Sequence, residues 1–250
     1  MDARKIAALA ALLADDTRAA VCLALLDGRA WTAGELARRA RVAPSTASGH
    51  LGKLVAGGLP AEERQGRHRH VRLADERAAE LVERLASYTA PDEGPSGSLR
   101  AASARTAMAR GRTCYDHLAG RLGIAITDAM TGRGLLRRDT GFALTDDGLG
   151  WFRTAGIPLP RGGRRPLARA CLDWTECRPR RGTPAGGTVV GRTRRRTARH
   201  LAGAAGAELC RHALAAGWCE RIGSQRAVRV TADGERALGR LLGIGTEALR

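Results

Sequence analysis

The stretch T-A-G-E-L-A-R-R-A-R-V-A-P-S-T-A-S-G-H-L-G-K-L-V-A-G-G-L (Thr32 to Leu59), followed by E-R-Q-G-R-H-R-H-V-R-L (Glu63 to Leu73), decides the fold. Thr32 stands where an N-cap belongs, and Glu35 three residues later completes a capping box for a short helix over 33–40. A break at Arg41-Val42-Ala43 follows, and Pro44 suits the first turn of a second helix running to Ala56, closed by Gly57-Gly58. Leu36 and Ala37 fall on the inner face of the first helix, and Leu51, Leu54 and Val55 on that of the second. Residues 59–73 alternate as a β-hairpin does, with its tip near Gln65-Gly66-Arg67.

Two short helices braced at a steep angle leave the outer face of the second one free. Ser45, Thr46, Ser48, Gly49, Gly52 and Lys53 occupy that face. Hydroxyls can bond phosphates or base edges, and an ammonium group adds a phosphate contact. Arg64, Gln65, Arg67, His68 and Arg69 lie on the hairpin, within reach of an adjacent DNA backbone or minor groove. His50 has two readings, packing against the neighbouring helix or touching DNA, and it is kept with the DNA-facing set. A winged helix used only for protein contact is the competing reading of the whole region.

Working outward, residues 3–14 place Ile6, Leu9, Leu12 and Leu13 on one helical face. Asp15 or Asp16 caps a further helix carrying Val21, Cys22, Leu25 and Leu26, and Gly28 ends it. Residues 75–88 set Ala78, Leu81, Val82 and Leu85 on one face. Residues 1–90 therefore form one domain, and the Pro/Gly/Ser-rich segment 91–99 is a linker. Residues 100–250 contain an internal repeat, over about 105–157 and 199–244. His117-Leu118-Ala119-Gly120, with Gly123, matches His200-Leu201-Ala202-Gly203, with Gly206. Gly134 and Gly217 follow at equal offsets, then Leu144-Thr145-Asp146-Asp147-Gly148 and Val230-Thr231-Ala232-Asp233-Gly234. Each copy reads helix, helix, short hairpin, helix. The segment 177–198 is arginine-rich, without apolar periodicity, and reads as a disordered insertion. The expected class is mainly α with small β-hairpin wings: a winged helix-turn-helix, then a duplicated winged-helix-like region.

The quoted residues carry a resemblance. L-A-D-D-T-R (Leu13 to Arg18), G-E-L-A-R-R-A-R-V-A-P-S-T-A-S-G-H-L-G-K-L-V-A-G-G-L and E-R-Q-G-R-H-R-H-V-R-L together resemble the ArsR/SmtB family of bacterial winged-helix repressors, over residues 5–88. The resemblance implies a homodimer joined mainly by the first and last helices of the domain. It also implies an inverted-repeat operator in double-stranded DNA, read by two helices about 34 Å apart. Ala43 departs from the usual Ser or Thr cap, and Gly49 from a long polar side chain. Pro60, at the start of the wing, removes a backbone donor and is expected to shorten the first wing strand. The C-terminal half resembles an extension found on some actinobacterial members, in which R-T-C-Y-D-H-L-A-G and C-L-D-W-T-E recur.

The 250 residues carry a net charge of +17, but only Lys5 and Lys53 of the 42 basic residues are lysine. That one-sidedness matches a coding bias, so charge permits a nucleic-acid partner without demanding one. Aromatic residues make up 3%, which favours close-packed helices over a large sheet. No apolar run can span a bilayer, no export signal opens the chain, and the six cysteines form no C-x-x-C pair; a reduced, cytoplasmic protein is expected. The chain has no G-x-G-x-x-G after a strand, no nucleophile elbow and no H-E-x-x-H, so catalysis is not expected.

The metal sites known in the resembled family are missing. Residues 37–39 hold no cysteine, the recognition helix no thiol, and residues 75–88 no histidine. Cys114 and His117, one turn apart on an expected helix, and Cys171, Asp173 and His200 are further candidate ligands. The repeat-equivalence of His117 and His200 argues instead for a shared packing or capping role, so no metal and no cofactor are assigned. Cys22, Cys210 and Cys219 read as small core residues, and Trp151, Trp174 and Trp218 as aromatic core ahead of a small-molecule pocket. The function read from the sequence is a sequence-specific regulator of transcription, a repressor, with no membrane partner and its effector left open. The alternatives are a non-specific or architectural nucleic-acid binder and a metal-responsive derepressor with a non-standard site.

Overall fold

A computed structural model describes residues 2–65, 68–88, 99–139, 141–163, 165–178, 196–222 and 226–249. The chain divides into two compact units, Met1–Leu85 and Ala86–Arg250.

The first unit runs α1 (Ala3–Leu13), α2 (Asp16–Leu25), β1 (Trp31–Thr32), α3 (Ala33–Ala40), α4 (Pro44–Ala56), β2 (Pro60–Gln65), β3 (His68–Leu73) and α5 (Glu76–Tyr88). Its helix starts are set locally. The Asp15 carboxylate accepts the Arg18 N–H at 2.9 Å to cap α2. Thr32 and Glu35 form the reciprocal capping box of α3. Arg41 then takes a left-handed conformation (φ 58°), its N–H returning to Ala37 and Arg38 carbonyls, and this ends the helix. Ala43 gives α4 no side-chain cap, and Pro44 opens its first turn.

Packing holds α4 where capping does not. Ala47, Leu51 and Leu54 are buried in it, against the core of Leu25, Leu26, Leu36 and Ala37. Each buried leucine contributes roughly 1.5–3 kcal/mol. Gly49 and Gly52 each cost this helix up to about 1 kcal/mol, so burial outweighs them. The wing is a three-stranded sheet ordered β1-β3-β2. β2 pairs antiparallel with β3 from Pro60↔Leu73 to Gln65↔His68, so Pro60 opens a full six-residue strand and does not shorten it. A proline is tolerated there because a first strand residue can forgo its donor.

The second unit runs α6 (Leu99–Arg110), β4 (Arg112–Cys114), β5 (His117–Ala119), α7 (Gly120–Gly132), β6 (Leu136–Arg137), β7 (Ala143–Leu144), α8 (Asp146–Thr154), β8 (Arg169–Arg178), β9 (Arg196–Ala202), α9 (Gly203–Ala215), β10 (Cys219–Arg221), β11 (Val228–Val230), α10 (Ala232–Leu242) and α11 (Thr246–Leu249). Hairpin, helix, hairpin, helix thus occurs in each half, where helix, helix, hairpin, helix was expected. R-T-C-Y-D-H-L-A is a hairpin and not part of a helix. Cys114 and His117 are not a helical turn apart but face each other across the β4–β5 hairpin. Tyr115 at φ 59° breaks any helix there.

Matched residues have matched surroundings. A Cβ on Gly123 would lie 2.3 Å from the Leu118 carbonyl oxygen and 3.4 Å from His200 Cβ; one on Gly206 would lie 2.5 Å from the Leu201 oxygen and 3.3 Å from His117 Cβ. Only glycine lets each helix start so close to its own strand. Thr145 and Thr231 cap α8 and α10 through Gly148 and Gly234 N–H groups, both at 3.0 Å. Leu118, Leu122, Ile126, Leu201, Leu209 and Leu238 belong to one shared core. Trp151 packs against that core with its indole N–H on the Leu241 carbonyl, and Trp218 is buried in it; the Trp174 side chain lies outside the described residues.

Of the expected linker 91–99, residues 91–98 lie outside the described residues, and Leu99 begins α6. Most of the arginine-rich insertion, 179–195, lies outside them too. At the two ends of that segment, Cys177↔Thr197 and Arg178↔Arg196 extend the β8–β9 ladder beyond a register shift.

Thr32→Ala should lower the stability of the first unit by about 1 kcal/mol, measured by urea unfolding. The Thr32 N–H, then its hydroxyl, hold the Glu35 carboxyl below its ordinary value of 4.5. Because folding lowers the pKa of this carboxyl, this part of the stability is complete above pH 4.5 and fades as pH falls through the lowered value. Glu35→Gln should flatten that acid limb.

Candidate nucleic-acid interface

Burial of Ala47, Leu51 and Leu54 fixes the rotation of α4. Ser45, Thr46, Ser48, Gly49, Gly52 and Lys53 are all exposed on the side away from the core. Nothing lies within 4 Å of a Cβ built on Gly49 or Gly52. The face is therefore flat, with small hydroxyls and one ammonium group, and a bulky rod can approach it closely.

His50 belongs to a different environment. Its Nδ1 lies 3.5 Å from Asp15 Oδ1 and 3.5 Å from an Arg18 nitrogen, and its side chain is 17% exposed. The Arg18 guanidinium also donates to the Leu12 and Ala11 carbonyls at the end of α1. Arg18 thus ties α1, the α2 cap and α4 together, with His50 turned toward that joint. The Asp15 carboxyl is held below its ordinary range, first by the Arg18 N–H and also by the charge of Arg18.

On the wing, Arg64 and Arg69 are exposed cross-strand partners. Arg69 also pairs with Glu62, and Arg72 with Glu63 at 3.4 Å. The wing charge is thus partly neutralised from within. Gln65 and His68 close the ladder by their backbones; their side chains, and Arg67 at the tip, lie outside the described residues.

A second constellation lies in the other unit, where four residues considered singly in the sequence come together. Cys114, His117, Cys171 and His200 are buried, each offering a ligand atom, all within 4.8 Å of one another. β4–β5 supplies one cysteine and one histidine as directly paired residues, Cys114↔His117, and β8–β9 supplies Cys171↔His200. The sulfurs are 3.8 Å apart and the imidazole centroids 5.1 Å. The Cys114 thiol, followed by the two histidines, holds the Cys171 thiol well below its ordinary range. Burial opposes a charge on His200, but Asp173 and Cys171 outweigh it and raise the ring to about 9. Burial alone pushes Cys219 up to about 12, and it dominates at Cys210, also about 12, and Cys22, about 11. Those three are core thiols.

Known proteins now bear on the chain. A helix-turn-helix domain family matches residues 13–63. An uncharacterized HTH-type transcriptional regulator of Bacillus subtilis (strain 168), YdfF, is 36% identical over 242 residues, covering 96% of this chain and 97% of the relative. This chain belongs to the HTH-type transcriptional regulators. It is accordingly a DNA-binding regulator and not an enzyme, and the ArsR/SmtB resemblance of its sequence points the same way. Among solved structures it is similar to the homodimeric winged helix-turn-helix DNA-binding domain of Mb0332 from Mycobacterium bovis, a possible ArsR-family regulator. That match has 27% identity over 33% of this chain and 75% of that one, with a TM-score of 0.31. It is also similar to the cadmium sensor CMTR of Mycobacterium tuberculosis, at 31% identity over 38% of this chain and 99% of that one, with a TM-score of 0.28.

Gly49→Ala should stabilise this regulator by about 0.5–1 kcal/mol, since an exposed helical glycine gives way to alanine and the added methyl meets nothing. Urea unfolding of the full chain measures it.

Proposed function

We propose that the chain is a cytoplasmic, dimeric repressor that binds an inverted repeat in double-stranded DNA, with α4 in the major groove and the wing on the flanking backbone. The observation that carries this reading is the division of α4. Its buried side chains point one way, and its hydroxyls and Lys53 point the other, with no described element of the first unit over them. Ser45, Thr46 and Ser48 are the groups for phosphates and base edges, and Lys53 and Arg64 those for phosphates. Gly49 makes no side-chain contact, so close backbone approach replaces readout at its position. His50 serves the joint with α2 and supports the face from behind.

Support for the dimer comes from α1 and α5. No residue of α1 is buried, and Ile6 is 60% exposed. Leu85 of α5 is also exposed. These are the helices that the ArsR/SmtB resemblance assigns to the dimer contact. Among the described residues, no helix is long and apolar enough to cross a membrane. The recurrence of hairpin, helix, hairpin, helix in the second unit is read here as an internal duplication.

A mobility-shift titration against the DNA upstream of the chain's own gene tests the repressor reading. Lys53→Ala should weaken binding equally across sequences and lower the salt slope by about 1. Ser48→Ala should instead narrow the gap between operator and scrambled DNA, by about 1–3 kcal/mol where its hydroxyl reads a base. Equal affinity of the wild type for both DNAs would refute sequence-specific binding.

Sedimentation of Ile6→Asp should show a monomer where the wild type is a dimer. Its operator affinity should fall at least about tenfold, because two half-sites are no longer engaged together.

A further inference from the structure

We infer that Cys114, His117, Cys171 and His200 form a closed, four-coordinate zinc site that fastens the β4–β5 hairpin to the β8–β9 hairpin. Nothing in this inference depends on the DNA-binding face, which lies in the other unit.

The donor set and its spacing carry the argument. Two thiolates at about 2.3 Å from a tetrahedral zinc stand about 3.8 Å apart; the sulfurs of Cys114 and Cys171 are 3.8 Å apart. A disulfide would need about 2.05 Å, and no disulfide joins these two cysteines. All four donors already lie within 4.8 Å of one another, so small side-chain shifts complete the tetrahedron. Tetrahedral S2N2 coordination is the geometry of zinc.

The histidines are set up as ligands of this kind. His117 Nδ1 is hydrogen-bonded to Asp116 at 3.2 Å, and its Nε2 is buried with no hydrogen-bond partner. His200 Nδ1 lies 3.2 Å from Asp173 Oδ2, although not aligned as a hydrogen bond, and its Nε2 is likewise buried without one. A buried imidazole nitrogen left unsatisfied is costly, and coordination removes that cost at both rings. Each carboxylate is held in turn by an arginine. Asp116 takes both terminal nitrogens of Arg165, at 2.6 and 3.0 Å, and Asp173 takes Arg112 at 3.2 Å together with the Gly120 N–H at 2.7 Å. A carboxylate hydrogen-bonded behind a ligating ring orients it and keeps the proton on the far nitrogen, as Asp116 does for His117, and Asp173 stands where a small turn of the His200 ring would let it do the same.

The charges also close. Zn²⁺ with two thiolates and two neutral imidazoles is uncharged, as a buried site requires, and the protons those donors carry are released on binding. With four protein ligands and every ligand buried, no coordination position is left for substrate. The site is structural, not catalytic.

The test uses the full-length, untagged protein. Elemental analysis after purification should find roughly one zinc per chain. Replacement by Co²⁺ should give the visible bands of tetrahedral cobalt together with near-ultraviolet thiolate-to-cobalt charge transfer. Cys171→Ser should lose both zinc and charge transfer, whereas Cys210→Ser should keep them. Should Cys171→Ser fail to fold, alkylation of the wild type decides the matter. Cys114 and Cys171 should be protected in the zinc form and become reactive after chelation, with Cys22 and Cys210 unchanged. Absence of zinc together with no thiolate charge transfer on adding Co²⁺ would overturn the inference. So would charge transfer that survives in Cys171→Ser, or alkylation of Cys114 and Cys171 that chelation leaves unaltered.

Discussion

One helix cannot present the same face to its own core and to an external partner, and α4 resolves this by rotation alone. Ala47, Leu51 and Leu54 recur at intervals of four and three, so a single stripe is buried. Every side chain on the opposite side is thereby committed to solvent or to a partner. The rest of the first unit serves that commitment. α3 supplies Leu36 and Ala37 as the facing stripe, and its capping box and left-handed end fix where the turn into α4 begins. Arg18 then joins the end of α1 to the start of α2 and to His50, so the brace extends over three helices.

The second unit solves a different problem, which is how to bury charge. Arg112, Asp173 and His200 are among its most enclosed residues. A buried ion pair contributes little net stability, but removing one partner is severe because a bare charge remains. Such groups therefore fix an arrangement more than they strengthen it. Here they fix which strand faces which: Arg112 lies at the start of β4, Asp173 in β8 and His200 in β9, while the Gly120 N–H that Asp173 also accepts opens α7. Thr127 adds a further link, with its hydroxyl donating to the Gly123 carbonyl and accepting the Leu201 N–H at 2.9 Å.

The first unit was legible because its signals are local. Capping residues, Pro44, the glycines after α4 and the apolar stripes all act within a few residues of where they stand. The effect of Pro60 depends on where in the ladder it falls, opposite Leu73 at the first strand position, and that placement is not written in the local sequence. In the second unit, Cys-Tyr-Asp-His fits a helical turn as well as a two-residue hairpin, and only the backbone of Tyr115 separates the two. The partner of Cys114 lies 57 positions away, beyond the reach of any spacing rule. The equivalence of His117 and His200 is visible in the sequence, where it fits a packing role. Two hairpins that face each other bring equivalent positions together, so the same equivalence also fits a shared site.

The exposed first helix has a consequence for the living cell. Eleven residues are fewer than the roughly 12–15 at which an isolated helix becomes even marginally stable in water. What little holds α1 within its own chain is at its C-terminal end, where Arg18 grips the carbonyls of Ala11 and Leu12. Beyond the Asp2 side chain, which accepts the Arg4 N–H at 3.0 Å, the opening turns have no described hold and fray readily until something covers them. With the proposed dimer contact on α1, the shape of this segment would follow copy number: loose in a sparse population, formed in an abundant one, with gene dosage a structural variable.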